Sequence, residues 1–499
     1  MRYRNMSAPQ STLSRLITGT FSTGIGRLVT IVFGLLCTII YTRWLPKEEY
    51  GSFVLLQLTI YLVISLSGFG IETSLTKFLA SSNEENSKHQ IINTAVYFRI
   101  ITAIIASTIL IVGRELFYKE AQSSLYIELL MYLPALVIIE AIGNLFSEVF
   151  MGTMKFVLFG VMDIIYSFAS FFLTIILVIW FHQGVVGLVY ARLIPKTLAM
   201  LFAFFHLRQY FRIRFDFILL KKLLRFGFPL YINNILNFFF SKADTFLIGM
   251  FLGTADVALY EIARKIPESL EMLYNAFRVV FFPIITNIFA SGKSDHFTKV
   301  LNDANRLLTF VGVFSALLAF LFRKEIITII FSERYLPCAP AFALLMFAFT
   351  LIVLDSNLGF SLVAIGDPDK SPIINIIRTI ICFTGYLIII PVFGVVGAVM
   401  ANLIGVLLVN PLNVYFLRRR NISVKFSVYL KPIFLYGLLI SLILGLDPQC
   451  FHPKIAILGL YVLGSIFLSV INQEDVALIV NESRIILASI LRSYHSKSV

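Results

Sequence analysis

The stretch YEIARKIPESLEMLYNAFRVVFFP, residues 260–283, holds Glu261, Arg264, Lys265, Glu268, Glu271 and Arg278 within a strongly apolar chain. Guanidinium groups hold phosphate or carboxylate, bidentately where geometry allows. Carboxylates withdrawn from water can exchange protons or bind a small cation. These residue types therefore point to recognition of an anionic cargo, and secondarily to coupling with an ion gradient.

Their spacing adds a direction. At about 100° per residue from Arg264, Glu268 falls at about +40°, Glu271 at about −20°, Asn275 at about +20° and Arg278 at about −40°. Glu261 lies near the same arc, and the opposite face (Ile262, Ile266, Leu270, Leu273, Phe277) is apolar. A charged face turned to lipid costs about 2.5–3.5 kcal/mol per residue on insertion scales, so such faces line bundle interiors or water-filled paths. A second reading stays open for the outer charges. Glu261–Lys265 and Arg264–Glu268 are i,i+4 pairs that can neutralise each other, and the outermost can reach the headgroups. Pro267 is expected to kink or hinge this helix.

The elements that carry these residues follow from composition. The chain has 499 residues, 58% hydrophobic and 14% charged, with mean hydropathy +0.88. Soluble domains run at about 45–50% apolar and about 25% charged, so the chain is an all-α polytopic membrane protein. At about 20 apolar residues per crossing, about fourteen helices fit: 16–41, 51–80, 90–113, 126–153, 156–181, 184–206, 226–252, 257–289, 301–322, 336–362, 372–390, 393–417, 428–446 and 453–472. Basic residues cluster in alternate loops, with Arg208, Arg212, Arg214, Lys221, Lys222 and Arg225 in one and Arg418, Arg419, Arg420, Lys425 and Lys431 in another. The positive-inside rule places both loops and both termini in the cytoplasm. The net charge of +13 thus sets topology and does not imply nucleic acid. The polar, basic start MRYRNMSAPQSTLSRL lacks a short apolar core and is not expected to be a removable signal peptide. Four scattered cysteines and six isolated histidines offer no metal site. With no Gly-rich Walker loop and no room for a folded catalytic domain, neither an enzyme nor a cofactor is expected.

A repeat organises the helices. GVVGLVYARLI at 184–194 returns as GVVGAVMANLI at 394–404, an offset of 210 residues. The same offset carries TKFLAS (76–81) onto TNIFAS (286–291) and Tyr50 onto Tyr260. Six helices per module is an even number, so both copies enter the membrane alike, as parallel repeats with the substrate site between them. The expected organisation is an N-terminal lobe (1–206), a basic amphipathic linker (207–225), a C-terminal lobe (226–420), two extra helices (421–472) and a tail (473–499). The tail reads equally as an interfacial helix or as a loosely ordered end.

Other ionisable residues fall inside these spans. Arg27 maps by the offset onto Asn237, one polar position onto another. The helix 226–252 also carries Asn233, Asn234, Ser241, Lys242 and Asp244, a polar run suited to a cavity wall. Lys242 and Asp244, two apart, do not share a face. Glu72, Glu140, Glu148 and Asp355 also lie in spans, whereas Arg99, Asp163, Arg192 and Arg378 sit nearer cytoplasmic ends and are expected to snorkel. The expected contacts to an anionic headgroup are therefore Arg27, Arg264, Arg278, Asn237, Lys242 and Asn275. The candidates for coupling to H⁺ or Na⁺ are Asp244, Glu268, Glu271 and Glu72. Charge is expected to concentrate on the second module.

Two further stretches resemble a known family. TRWLPKEEYGSFVLL (42–56) with LSGFGIETSLTKFLA (66–80), and FGFPLYINNILNFFFSKADTFLIGMFLGTADVALYEIARKI (226–266), are similar to bacterial polysaccharide transporters of the O-antigen flippase type. That family belongs to the multidrug/oligosaccharidyl-lipid/polysaccharide exporter superfamily. Here Trp44 precedes Leu45-Pro46 where the family's turn carries a glycine. The resemblance implies two six-helix lobes around a V-shaped cavity, alternating access, and movement of an undecaprenyl-diphosphate-linked oligosaccharide across the bacterial plasma membrane, alongside polysaccharide-assembly partners. It also implies that cavity cations such as Arg27, Arg264 and Arg278 meet the diphosphate. Three alternatives compete: an ion-coupled multidrug or metabolite antiporter of the same fold, a flippase for the peptidoglycan lipid precursor, and a membrane glycosyltransferase. Cavity arginines favour an anionic cargo over organic cations, and the short outer loops disfavour the transferase.

Overall fold

The computed structural model describes residues 12–82, 84–120, 124–211, 215–425, 427–446, 451–468 and 470. Runs of Leu, Ile, Val and Phe without internal turn residues form helices throughout, because in lipid every backbone N–H and C=O must be satisfied within its own segment. In chain order they are α1 (Thr12–Trp44), α2 (Lys47–Gly68), α3 (Ile71–Ser81), α4 (Glu85–Glu120), α5 (Ser124–Leu129), α6 (Leu133–Gly152), α7 (Phe156–Thr174) and α8 (Gly184–Leu207). They continue as α9 (Phe217–Phe251), α10 (Thr254–Ala290), α11 (Ser294–Leu321), α12 (Arg323–Ile330), α13 (Ala339–Ala364), α14 (Lys370–Arg419), α15 (Ser427–Leu446) and α16 (Phe451–Phe467). Eight helical stretches among the described residues are long and apolar enough to cross a membrane. The architecture is all-α and multi-pass, and the described residues of the expected spans are largely helical.

One place differs from the simplest reading. The span expected at 51–80 is two helices, because Phe69 (φ 49°) and Gly70 (φ 75°) take left-handed backbone between α2 and α3. The spans expected at 372–390 and 393–417 are the two limbs of α14, which part at Gly394 (φ 60°, ψ −142°), where the backbone leaves helical geometry. Pro267 lies inside α10.

The chain divides into two compact units. One holds the described residues up to Leu259 together with Ile330–Arg334; the other holds Tyr260–Ile329 and the described residues from Tyr335 onward. The first unit has a core at each end of its helices: Leu75, Leu79, Phe146 and Phe150 at one, Leu56, Leu133, Leu136 and Leu188 at the other. In the second, Ile285, Leu301, Leu358, Leu362 and Leu417 form the largest cluster.

The helix α9, which the repeat assigns to the second module, packs in the first unit. A Cβ on Gly70 would sit 2.2 Å from the Gly227 carbonyl oxygen, so the two backbones touch where only glycine fits. Ser74 Oγ donates to Leu223 O (2.8 Å) and Tyr231 Oη to Leu66 O (3.0 Å), while Phe69 stacks on Tyr231. The tail 473–499 and linker residues 212–214 lie outside the described residues.

Candidate functional site

Two helices of the second unit set a stripe each around a small cavity, and a third adds one residue. On α13, Asp355 with Gly359 and Ser356 with Phe360 are i,i+4 pairs and share a face. On α14, Ser371, Ile374, Asn375 and Arg378 recur at i, i+3, i+4 and i+7, again one stripe. Arg278 enters from α10 and Asn413 from the limb of α14 beyond Gly394. Together these residues enclose about 180 Å³.

The polar contacts are specific. Arg378 Nη1 donates to Asp355 Oδ2 at 3.1 Å, and Asn413 Nδ2 donates to Asp355 Oδ1 at 2.7 Å. Both carboxylate oxygens are thereby engaged. Asn413 is buried, and its Oδ1 has no hydrogen-bond partner among the described residues. The Arg278 guanidinium lies 4.4 Å from the Phe360 ring centroid and forms no ion pair among the described residues. A cation–π contact uses the face of the guanidinium and leaves its in-plane N–H donors open. One turn earlier on α10, the buried Tyr274 hydroxyl is also without a hydrogen-bond partner among the described residues. Behind the cavity, Asn357 Nδ2 donates to Asn305 Oδ1 at 2.6 Å and ties α13 to α11.

Of the residues expected to meet an anionic headgroup, the structure places Arg278 on this cavity. Arg264 lies 2.9 Å from Glu268 in an i,i+4 ion pair and 5.4 Å from the Tyr260 ring centroid. Lys265 and Glu261 are 3.9 Å apart. The outer part of the charged stripe thus takes the self-neutralising arrangement. Asn275 is half-buried and Glu271 is exposed, both outside the cavity lining. Lys242 is half-buried on α9, where the buried Asp244 accepts from the Thr245 N–H and hydroxyl. Arg27 lies on α1 and Asn237 on α9, but their side chains are outside the described residues.

Three arginines expected to snorkel are instead paired with carboxylates. Arg99 is fully buried, with Nε 2.9 Å from Glu72 Oε1. That contact is coulombic, since Nε is off the axis needed for a hydrogen bond. Arg99 also donates to Ser67 Oγ and Ile64 O, both at 3.0 Å. Arg192 grips Glu140 bidentately, at 2.6 and 3.0 Å. Arg378 pairs with Asp355 in the cavity. The physical reason is depth: each arginine meets an acid on a packed neighbour, buried for Glu140 and Asp355 and half-buried for Glu72, and pairing offsets part of the desolvation cost of both charges. The coupling candidate Glu72 is thus held by Arg99.

Sequence reasoning missed Asp355, Arg378 and Asn413 as one network. A signal existed for the first two. They lie about 12–14 Å from the facing ends of consecutive helices at 1.5 Å per residue, and so at one depth with opposite charge. Nothing in the sequence pointed to Asn413.

Residues 40–340 match the family described as polysaccharide biosynthesis protein. The chain is 21% identical over 431 residues to the lipopolysaccharide biosynthesis protein WzxC of Escherichia coli, covering 84% of this chain and 82% of that one. Among solved structures, the lipid II flippase MurJ in an inward closed conformation is similar at TM-score 0.68 and 14% identity, covering 89% of this chain and 98% of that one. An inward-facing multidrug resistance MATE transporter is similar at TM-score 0.64 and 16% identity, covering 78% and 94%. These structural likenesses concern the fold alone.

Proposed function

Because the chain belongs to the polysaccharide biosynthesis protein family, within the multidrug/oligosaccharidyl-lipid/polysaccharide exporter superfamily, we propose that it is a flippase for a lipid-linked glycan. Its cargo is a polyprenyl-diphosphate-linked oligosaccharide, the repeat unit of a surface polysaccharide. It carries this cargo by alternating access from the cytoplasmic to the outer leaflet of the bacterial plasma membrane, with both termini in the cytoplasm.

The observation that carries this reading is Arg278. It is a half-buried guanidinium among apolar helices, braced on Phe360 and without a carboxylate of its own among the described residues. A cation kept unpaired at that cost serves an anion that arrives with the cargo. Carrier headgroups are anionic, whereas a cavity for organic cations calls for carboxylates and aromatics. Arg264, offset by Glu268, is a secondary contact, and Arg27, Asn237, Lys242 and Asn275 complete the proposed set. Coupling to H⁺ or Na⁺ is a separate proposal resting on Asp244 and Glu271. Transport that survives collapse of both gradients excludes it.

The test is genetic and chemical. Deleting the gene should cause a lipid-linked oligosaccharide to accumulate, read by mass spectrometry, and Arg278→Ala should fail to restore surface glycan while remaining inserted and folded. Normal glycan in that variant removes Arg278 from cargo binding. A deletion that changes drug sensitivity alone favours the multidrug antiporter.

A further inference from the structure

The second-unit cavity has an electrostatic and hydrogen-bonding signature more specific than a positive hole. Two guanidinium groups, Arg278 and Arg378, face one carboxylate, Asp355, which leaves a net positive site that repels a cation. Asn413 adds an acceptor. Its amide orientation is fixed, because reversing it would set its oxygen against Asp355 Oδ1, acceptor to acceptor. Its free Oδ1 therefore calls for a donor, and no described side chain supplies one.

Size narrows the ligand further. The space of about 180 Å³ lies below the roughly 300–1,000 Å³ of sites that hold a drug-sized molecule. It suits one sugar ring or one phosphate-sized group of a larger cargo.

We propose that this cavity recognises a hydroxylated oxyanion, with two acceptor oxygens on the Arg278 fork and a hydroxyl donated to Asn413 Oδ1. The Asp355–Arg378 pair holds Asn413 in register. Ser371 and Asn375 supply further polar contacts at the rim. The inference deepens the flippase reading and rests on it for the source of the ligand. That source is either the carboxylate of an acidic sugar in the glycan or a phosphate of the carrier headgroup beside a sugar hydroxyl. A neutral sugar satisfies Asn413 but leaves Arg278 without a counter-charge.

The experiment is calorimetric titration of the full-length protein, purified in detergent, with D-glucuronate, inorganic phosphate and D-glucose at constant ionic strength. Saturable binding of an anion is expected, with glucose at least tenfold weaker. Arg278→Gln should weaken anion binding at least tenfold, and Arg278→Lys should fall between, since it keeps the charge and loses the fork. Asn413→Leu should weaken glucuronate as well. If that variant does not fold, the Arg278 pair decides alone, because Arg278 takes part in no ion pair that folding needs. Glucuronate tighter than phosphate places the source in the glycan, and the reverse order places it in the carrier. Glucose binding as tightly as the anions, an unaffected Arg278→Gln, or no binding of either anion overturns the proposal. The two readings fail separately. Anion binding without an accumulating lipid-linked intermediate removes the flippase and keeps the site, and accumulation without anion binding does the reverse.

Discussion

The two units share a skeleton but not a charge distribution. Gly184 and Gly394, 210 residues apart, both take positive φ (57° and 60°) at the start of the helical limb that closes each repeat. Asn93 and Asn302, 209 apart, play one structural part. Each Nδ2 donates to the carbonyl four residues back and to a carbonyl of the segment after that closing limb, Tyr210 or Ser423, both at 2.9 Å. The ionisable residues do not follow this rule. At the same offset Arg99 meets Thr309, Arg192 meets Asn402, Asp355 meets Leu145 and Arg378 meets Phe168. Helix ends need the same turns and bridges in both copies, so those features are common to both. Buried charge was placed in each unit separately. In the first unit Arg99 and Arg192 each end on an acid, which is an arrangement that holds helices together. In the second, Arg378 takes Asp355 and Arg278 forms no ion pair among the described residues, which leaves a cation for something else.

The contrast is most sharply tested at the arginines. Arg99→Leu leaves Glu72 unpaired in the first unit, and removing one partner of a buried pair costs about 3–5 kcal/mol. Little folded protein should remain, read as loss of the monodisperse peak in size-exclusion chromatography. Arg278→Leu breaks no ion pair and should elute as the parent does, while export is lost. A monodisperse, exporting Arg99→Leu protein would show that the first unit's pairs do not hold the fold.

A smaller effect is expected where the units agree. Gly394 sits at a φ, ψ combination close to a region that is essentially glycine's alone, at a cost of about 1–3 kcal/mol for another residue. At Gly184 an added Cβ would also meet Glu49 Oε2 at 2.8 Å, and that same oxygen accepts from the Val185 N–H at 2.8 Å. Gly184→Ala and Gly394→Ala should therefore lower the melting temperature by similar amounts. Heat-induced labelling of the buried Cys37, Cys338 and Cys382 by a thiol dye would report it. A large drop in one variant and none in the other would mean that the repeat does not impose equivalent turns.

How much of this was legible beforehand follows from which force fixes each feature. Helix positions follow from apolar run length, because lipid leaves the backbone no other option. The 210-residue repeat is readable because it is written in glycines whose φ or close packing cannot be met otherwise. The break at Phe69–Gly70 lay hidden inside one apolar run, since it is required by the approach of Gly227, 157 residues further on. The site was legible only in part for the same reason. The stripe on α10 and its i,i+4 pairs were visible in their spacing, but pairing between helices depends on which helix packs beside which. Arg378, expected at the headgroups, thus turned to Asp355. Asn413 is an amide whose role exists only through Asp355, a contact that spans 58 residues.

The smallest effect concerns two clasps in matching places with different chemistry. In the second unit, Asp367 on the connection from α13 to α14 accepts from Arg420 just beyond α14, at 2.8 Å from Nε and 2.5 Å from Nη2. In the first unit the position matching Arg420 is Tyr210, and Lys155, from the connection between α6 and α7, lies 5.2 Å from its ring centroid. The hydrogen bonds from Arg420 hold the Asp367 carboxyl below its ordinary range. A depressed folded-state pKa contributes stability that is present above the unfolded value of about 3.9 and is lost as pH falls through the folded one. The Lys155–Tyr210 contact involves no carboxylate. Asp367→Asn should thus lower the melting temperature slightly at pH 7, less at high salt because Arg420 is exposed. The gap to the parent should close as pH falls below about 4. Lys155→Gln should show an offset that is constant from neutral to acid pH. Equal pH dependence in the two variants would mean that the clasps share one chemistry after all.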